Sequence, residues 1–254
     1  MTIRVNTDDW VVRFHQIPKP RLRLFCFANA GGATAQFRTW HQALPEGVEV
    51  CPVQLPGQGS RFREEPYTRL QPLVEKLADV LAPYLDVPAA FWGYSMGALV
   101  GFALAQEFER RGDRGPEQLF IAARSAPHVP PLVSPIHQLA EPLFISEVQR
   151  RYNGIPEAIL QERELLTLLL PVLRANFEMI ETYTFSGEVL LDMPVVAFGG
   201  LQDPTVNSQQ IAAWGGLTSA AFRYFMFPGD HFFLQNHLPA ILQIVTRGLT
   251  PLLG

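Results

Sequence analysis

The feature that most constrains the fold of this chain is one pentapeptide, Gly93-Tyr94-Ser95-Met96-Gly97. It has the form G-x-S-x-G. An apolar run precedes it, and a run of Ala, Leu, Val and Phe follows it. This context predicts a buried strand, a sharp turn that holds Ser95, and a buried helix. Glycine is expected on both sides of the serine because side chains there would collide with the neighbouring strand and helix. The sequence therefore predicts Ser95 as a nucleophile exposed at the end of a strand.

The rest of the chain alternates between short apolar runs and helix-like stretches. Most of the runs are continuously apolar, which is typical of strands covered on both faces. Predicted strands are Leu22–Ala28, Val48–Leu55, Ala89–Trp92, Gln118–Ala122, Pro194–Phe198 and Phe222–Phe227. Predicted helices are Ala35–Leu44, Leu70–Leu85, Met96–Arg111, Asn207–Ala213 and Leu238–Arg247, the last ending at Gly248. The alternation predicts an α/β fold with a mostly parallel sheet and helices on both faces.

One segment interrupts this alternation. Residues 125–186 open on a proline-rich stretch and then read as several short helices without a strand. Within it, Leu165–Leu173 is apolar almost all round, and such a helix needs cover or a ligand on every face. We interpret residues 125–186 as a helical lid inserted into a single domain that spans residues 1–254. An ordinary helical subdomain without a role in binding is the alternative.

Charge and targeting signals exclude several classes of function. The net charge of −4 does not favour bulk attraction to nucleic acid or to anionic membranes. Residues 87–106 carry no charge, but Pro88 and the residues around Ser95 interrupt them, so a strand, turn and helix explain them better than a membrane span. The N-terminus lacks the apolar segment of a secretory signal, which predicts a cytoplasmic protein. Two cysteines are too few for a structural zinc site, and we predict no metal.

A serine nucleophile needs a base, and His231 is the best candidate. In folds with this motif the acid and then the histidine follow the serine along the chain. His231 lies in a turn directly after the strand Phe222–Phe227. The carboxyl ends of parallel strands lie at one edge of the sheet, where Ser95 is also expected. The sequence therefore predicts that His231 accepts the proton of Ser95.

Asp203 is the best candidate for the acid that orients this histidine. It follows the apolar strand Pro194–Phe198 and a glycine turn, again at a carboxyl end. Asp230 ranks second, because a carboxylate next to the histidine in sequence rarely aligns with its ring. A plain turn residue before proline is the alternative for Asp203. Serine, acid and base in this order predict an α/β-hydrolase fold.

Two backbone N–H groups are expected to form an oxyanion hole. One belongs to Met96, which follows the nucleophile. The other should come from the small-residue loop after the first strand, where Ala30 is the first choice and Gly31 the second. A glycine turn without a catalytic role is the alternative for this loop.

With these elements in place, the chain resembles the type II thioesterases, the discrete editing hydrolases of non-ribosomal peptide and polyketide synthesis. The matching motifs are Ala30-Gly31-Gly32, Leu55-Pro56-Gly57-Gln58-Gly59-Ser60-Arg61, Gly93-Tyr94-Ser95-Met96-Gly97-Ala98, Ser125-Ala126-Pro127-His128, Arg151-Tyr152-Asn153-Gly154, Leu170-Pro171-Val172-Leu173-Arg174-Ala175-Asn176-Phe177, Glu181-Thr182-Tyr183, Gly199-Gly200-Leu201-Gln202-Asp203 and Gly229-Asp230-His231-Phe232-Phe233-Leu234. They extend over nearly the whole chain. The family commonly has histidine where Asn29 and Tyr94 stand here.

The resemblance implies hydrolysis of acyl thioesters carried on the phosphopantetheine arm of an acyl- or peptidyl-carrier protein, without a cofactor. We expect a monomer. Carrier proteins of this kind are typically acidic, so two arginine clusters are candidate docking sites: Arg110, Arg111 and Arg114, and Arg150 with Arg151. Three alternatives stay open: a medium-chain fatty acyl thioesterase, a carboxylesterase or lipase with the same triad, and a hydrolase fold kept as a non-catalytic binding scaffold.

Overall fold

The centre of the molecule is a six-stranded, fully parallel β-sheet. A computed structural model describes residues 10–187 and 190–254. The strands are β1 (Leu22–Phe27), β2 (Val48–Val53), β3 (Ala89–Tyr94), β4 (Gln118–Ala122), β5 (Val195–Gly200) and β6 (Phe222–Phe227). Their order in the sheet is β2-β1-β3-β4-β5-β6. The continuously apolar runs of the sequence thus form neighbouring strands of one sheet, and the predicted α/β fold with a parallel sheet is confirmed.

Helices cover both faces of this sheet. They are α1 (Leu70–Leu81), α2 (Met96–Arg111), α3 (Glu141–Tyr152), α4 (Glu157–Leu160), α5 (Arg163–Glu181), α6 (Ser208–Ala212) and α7 (Leu234–Leu249). Side chains of β1 alternate between two hydrophobic clusters: Phe25 and Phe27 pack in the cluster that contains α1 and α2. Leu22, Leu24 and Cys26 pack in the cluster that contains α7. Both faces of the strand are therefore buried, which explains its unbroken apolar sequence.

The predicted helix Ala35–Leu44 was wrong. The chain there forms two short 3-10 turns, Thr34–Phe37 and Trp40–Gln42. Phe37 and Trp40 are both fully buried and pack edge-to-face, and Trp40 packs in turn on Trp92 of β3. Burying both rings against the sheet determines the path of the chain here, and it overrides the local helical pattern.

The bounds of the last helix were also wrong. Helix α7 begins at Leu234 rather than at residue 238, and it continues through Gly248 to Leu249. A Cβ atom on Gly248 would lie 2.8 Å from Cζ of Phe120 in β4. A small residue is thus favoured there because the helix lies close to the ring of Phe120, and not because the helix stops.

Helix α2 leaves the carboxyl end of β3 in close packing with the end of β1. A Cβ atom on Gly97 would lie 2.1 Å from the carbonyl oxygen of Phe27 at the end of β1. We expect Gly97→Ala to lower the free energy of unfolding by about 3 kcal/mol or more, because backbone atoms cannot move aside as a side chain can. Chemical denaturation measures the change.

Gly101 provides a matched control within the same helix. A Cβ atom there would meet side chains at ordinary contact distance, the ring of Phe27 at 3.4 Å and Cδ1 of Leu119 at 3.8 Å. Gly101→Ala should be neutral or should stabilise the protein by up to about 1 kcal/mol, because alanine favours a helix more than glycine does. Equal effects of the two substitutions would show that the close approach of α2 and β1 is wrong.

The segment between β4 and β5 contains α3, α4 and α5. It forms no strand within the described residues, as the sequence predicts, but α5 is a long helix of 19 residues that contains Pro171. Leu165 and Leu168 at its start are 49% and 62% exposed, so the apolar run is not covered on every face. The later part of α5, including Leu173 and Phe177, is buried.

Among the described residues, no helix combines the length and hydropathy that a membrane span requires.

Candidate active site

Ser95 lies in a one-residue turn between β3 and α2. Its backbone adopts a φ of 54°, which is rare for a residue with a side chain. The turn is possible because a Cβ atom on Gly93 would lie 2.3 Å from the carbonyl oxygen of Gly97, so only glycine fits. The amide N–H of Ser95 donates to the carbonyl of Ala122 at the end of β4. Strand pairing therefore fixes the strained turn and directs the hydroxyl beyond the edge of the sheet.

The structure brings the three predicted residues into one hydrogen-bonded chain. Nε2 of His231 lies 2.9 Å from Oγ of Ser95. Nδ1 of the same ring lies 2.7 Å from Oδ2 of Asp203. Asp203 follows the end of β5 and His231 follows the end of β6, so all three residues lie at one edge of the sheet. This is the geometry in which an imidazole can accept the hydroxyl proton while a carboxylate holds its other nitrogen.

Asp203 is held as a buried carboxylate. Its side chain is fully buried, which by itself raises the pKa of a carboxyl group. Hydrogen bonds from His231 and Thr205 outweigh this effect, so the pKa of Asp203 is lowered. Both the backbone N–H and the hydroxyl of Thr205 donate to Oδ1, at 2.8 and 2.7 Å. Asp203 therefore stays ionised at neutral pH and presents its second oxygen to the imidazole.

Asp230, the second choice for the acid, has another role. Its Oδ1 accepts the N–H of Phe232 at 2.8 Å, in the turn that leads into α7. The imidazole nitrogen next to Asp203 shows no contact with Asp230. The structure thus separates the two aspartates by function: one faces the ring and the other closes a turn.

Two tyrosines position His231. The hydroxyl of Tyr94 donates to the backbone carbonyl of His231, and burial raises the pKa of Tyr94 so that it stays protonated. Tyr152 of α3 packs edge-on against the imidazole, with 4.8 Å between the ring centroids. The hydroxyl of Tyr94 thus links the end of β3 to the loop that carries His231.

The loop after β1 lies next to Ser95 and is held by a distant residue. The N–H of Gly31 donates to Oδ1 of Asn176 in α5, at 3.1 Å. The N–H of Gly31 therefore already has an acceptor. This favours the N–H of Ala30 over that of Gly31 as the second oxyanion donor. Met96 is the first residue of α2, so its N–H has no acceptor within the helix.

Asn176 therefore offers a direct test of this loop. We expect Asn176→Ala to lower kcat about tenfold, because the predicted oxyanion donor loses its support while Ser95, His231 and Asp203 keep their geometry. Asn176→Asp keeps an acceptor for Gly31 and should retain more of the rate. Steady-state kinetics on one thioester measures both variants. A full rate in Asn176→Ala would show that the contact is dispensable.

A cavity opens beside Ser95 and His231. The sheet side of its wall includes Ala30, Ala123 and Val206, and helices α3 and α5 cover it from the opposite side. The residues from these helices are Val148, Tyr152, Leu173, Phe177 and Ile180. The wall is mainly apolar, which suits the body of an acyl chain.

No group of three or more His, Cys, Asp or Glu residues in the described part of the chain is arranged to hold a metal ion.

Both arginine clusters are partnered by acidic side chains. Arg110 and Arg111 bind Glu107, and Arg114 binds Glu117. Arg150 and Arg151 share Glu147. These pairs neutralise much of the positive charge, so the structure gives neither cluster the character of a basic patch.

Comparison with known proteins places the chain among thioesterases of biosynthetic pathways. A family model described as a thioesterase domain matches residues 22–249. The gramicidin S biosynthesis protein GrsT of Aneurinibacillus migulanus is 37% identical over 249 residues, which are 98% of this chain and 97% of that protein. The RedJ thioesterase of the prodiginine pathway in Streptomyces coelicolor has a TM-score of 0.83 at 35% identity, over 91% of this chain and 86% of that one. The type II thioesterase BorB of the borrelidin cluster also has a TM-score of 0.83, at 30% identity over 95% and 96% of the two chains.

Proposed function

The chain belongs to the thioesterase family, and we propose that Ser95, His231 and Asp203 are the triad with which it hydrolyses carrier-bound acyl thioesters. It is a thioester hydrolase of the type II class, whose members act in the editing and release steps of non-ribosomal peptide and polyketide synthesis. The observation that carries the assignment of the triad is the pair of contacts on one imidazole, 2.9 Å to Ser95 and 2.7 Å to Asp203.

In the first half of the reaction, Oγ of Ser95 attacks the thioester carbonyl while Nε2 of His231 takes its proton. The carbonyl oxygen becomes an oxyanion that accepts hydrogen bonds from the N–H groups of Met96 and Ala30. When the intermediate collapses, the C–S bond breaks and the imidazolium returns its proton to the departing thiol. Ionised Asp203 stabilises the imidazolium during this step. The product is an acyl ester on Ser95 and a free carrier thiol.

The second half repeats these steps with water. His231 removes a proton from the water molecule, and the hydroxide attacks the acyl ester. The same two N–H groups bind the second oxyanion. Collapse breaks the C–O bond to Ser95, which regains its proton from the imidazolium. The products are a free carboxylic acid and the starting enzyme, so no cofactor is needed.

We propose that residues 125–186 act as a lid on this site within a single domain. Helices α3 and α5 supply Tyr152, Leu173 and Phe177 to the cavity wall, so substrate is enclosed between them and the sheet. An enclosed apolar site excludes bulk water and strengthens the hydrogen bonds to the oxyanion. The partner is an acyl- or peptidyl-carrier protein that inserts its phosphopantetheine arm, and the enzyme acts as a monomer in the cytoplasm.

A thioester and its matched oxygen ester distinguish this function from a carboxylesterase. A carrier protein loaded with a hexanoyl group on its phosphopantetheine thiol should be hydrolysed at least about tenfold faster, in kcat/KM, than hexanoyl on the corresponding alcohol analogue of the arm. Mass spectrometry of the intact carrier follows the loss of the acyl group. A preference for the oxygen ester would assign the site to an esterase instead.

A further inference from the structure

The last residue of α3, Tyr152, contacts the ring of His231. The two ring centroids lie 4.8 Å apart, and the ring planes are inclined by 70°. Asp203 and Ser95 contact the two ring nitrogens, whereas Tyr152 packs on the ring itself. The orientation of the imidazole therefore depends also on where α3 ends.

Tyr152 belongs to a continuous row of aromatic rings within the lid. It packs on Phe177 of α5 with 5.6 Å between the ring centroids. Phe177 in turn packs edge-to-face on Phe144 in the first turn of α3, at 5.7 Å and 88°. We call Phe144, Phe177 and Tyr152 the aromatic row. Phe144 and Phe177 are buried, and buried side chains are close-packed, so a shift of one ring displaces the next.

Arg174 of α5 holds the far end of the aromatic row. Its guanidinium carbon lies 4.4 Å from the centroid of the Phe144 ring. Nη1 donates to the carbonyl oxygens of His137 and Leu139, which precede α3 in the chain. Arg174 is not among the described residues that line the cavity beside Ser95. The guanidinium therefore fixes the start of α3 from outside the cavity wall.

The segment before α3 has a second support that does not depend on Arg174. The carboxylate of Glu181 accepts the N–H groups of Ile136 and His137 at 2.9 to 3.0 Å. These hydrogen bonds would continue to hold the segment if Arg174 were replaced. A substitution of Arg174 should therefore loosen the Phe144 ring more than it alters the path of the chain.

We propose that Arg174 is a positioning residue that acts through the aromatic row to orient His231 for proton transfer. This inference rests on the proposed function and adds to it a residue outside the cavity. The guanidinium fixes the Phe144 ring, and the row passes that position on to the imidazole. In the proposed reaction Nε2 takes a proton from Ser95 and later returns one, and small misplacements slow such steps strongly.

Replacing Arg174 should therefore lower kcat and leave KM nearly unchanged. With hexanoyl pantetheine as the substrate, we expect Arg174→Met to reduce kcat about fivefold or more, with KM within about twofold of the native value. Methionine occupies similar space, but it has no N–H groups for the two carbonyls and no cation for the ring. Arg174→Lys keeps donors and a cation and should recover part of the rate. Arg163→Met, at the exposed first position of the same helix, should keep the native kcat.

The aromatic row reaches the imidazole at Tyr152, and two substitutions test this contact. Tyr152→Leu removes the ring beside His231 and should reduce kcat about tenfold. Tyr152→Phe keeps the ring and should recover most of that loss. Equal losses in these two variants would overturn the inference, whatever the behaviour of the Arg174 variants.

A double-mutant cycle tests whether Arg174 acts through Tyr152. Arg174→Met should cost about fivefold in kcat in the native background and close to nothing when Tyr152→Leu is already present. The cost should persist in Asn176→Ala, because Asn176 supports the loop after β1 rather than His231. Equal costs in the native and Tyr152→Leu backgrounds would overturn the inference. So would a cost that also disappears in Asn176→Ala, since that pattern indicates a general loosening of the lid.

Labelling of the serine separates this inference from folding and from the thioesterase function. The rate at which a fluorophosphonate labels Ser95 depends on His231 but not on a thioester, so Arg174→Met should slow labelling by a factor similar to its loss in kcat. A native labelling rate in this variant would contradict the positioning role. Circular dichroism and melting temperatures verify that the variants are folded. A native protein that is labelled at Ser95 but hydrolyses no acyl thioester would overturn the proposed function, and the labelling rates would still decide the role of Arg174.

Discussion

Ser95→Ala is expected to reduce kcat for carrier-bound thioesters by about 10⁴-fold or more, which is the range for loss of a triad nucleophile. The hydroxyl lies 2.9 Å from Nε2 of His231 and is the proposed nucleophile of the first half-reaction. Removing it leaves the two oxyanion donors and the cavity, which bind substrate but form no acyl ester. Rapid-quench measurement of the released acid on a single loaded carrier gives the rate.

The same variant can be checked without turnover. A fluorophosphonate should label the native protein once and Ser95→Ala not at all, as read by mass spectrometry of the intact chain. Alanine at position 95 keeps the left-handed backbone, at a φ of 54°, so circular dichroism and the melting temperature control for folding. Residual turnover within tenfold of the native rate would place the nucleophile elsewhere.

Asp203→Asn should reduce kcat by about 10⁴-fold with little change in KM. Thr205 donates two hydrogen bonds to one oxygen of Asp203 and would hold the amide with its NH₂ group facing the ring. That NH₂ group donates to Nδ1 of His231, so the proton of the neutral ring moves to Nε2. An imidazole with this tautomer cannot accept the proton of Ser95.

Asp230→Asn is the matched control. It changes the residue next to the histidine in the same way, but its side chain only accepts the N–H of Phe232 in the turn before α7. Asparagine keeps that acceptor, and kcat should stay within about threefold of the native value. Equal losses in Asp203→Asn and Asp230→Asn would mean that the loop, rather than the carboxylate facing the ring, sets the rate.

Most of the sheet, and the meeting of Ser95, Asp203 and His231 at one edge of it, could be predicted from the sequence because both follow local rules. A strand buried on both faces is apolar throughout, and the predicted bounds of α2, Met96–Arg111, agree with the structure. Parallel strands bring their carboxyl ends to one edge, so Ser95, Asp203 and His231 could be placed together without coordinates. Thr205 was missed, although a hydroxyl residue two positions after an aspartate is a local signal for a turn that holds the carboxylate.

Contacts between segments that are distant in the sequence could not be predicted in the same way. Asn176 reaches Gly31 across 145 residues, and no local pattern connects an asparagine in a helix to a glycine loop. The two 3-10 turns replaced a predicted helix because Phe37 and Trp40 pack on the sheet, which is a tertiary effect.

The order of the triad along the chain has a consequence for biosynthesis of the protein. The serine and the histidine are 136 residues apart, and the histidine follows the edge strand, the last to leave the ribosome. A nascent chain that has formed the first five strands holds a hydroxyl but no group to take its proton. We therefore expect that chains that stall during translation, or that proteolysis cuts before the last strand, do not hydrolyse the acyl groups of loaded carriers.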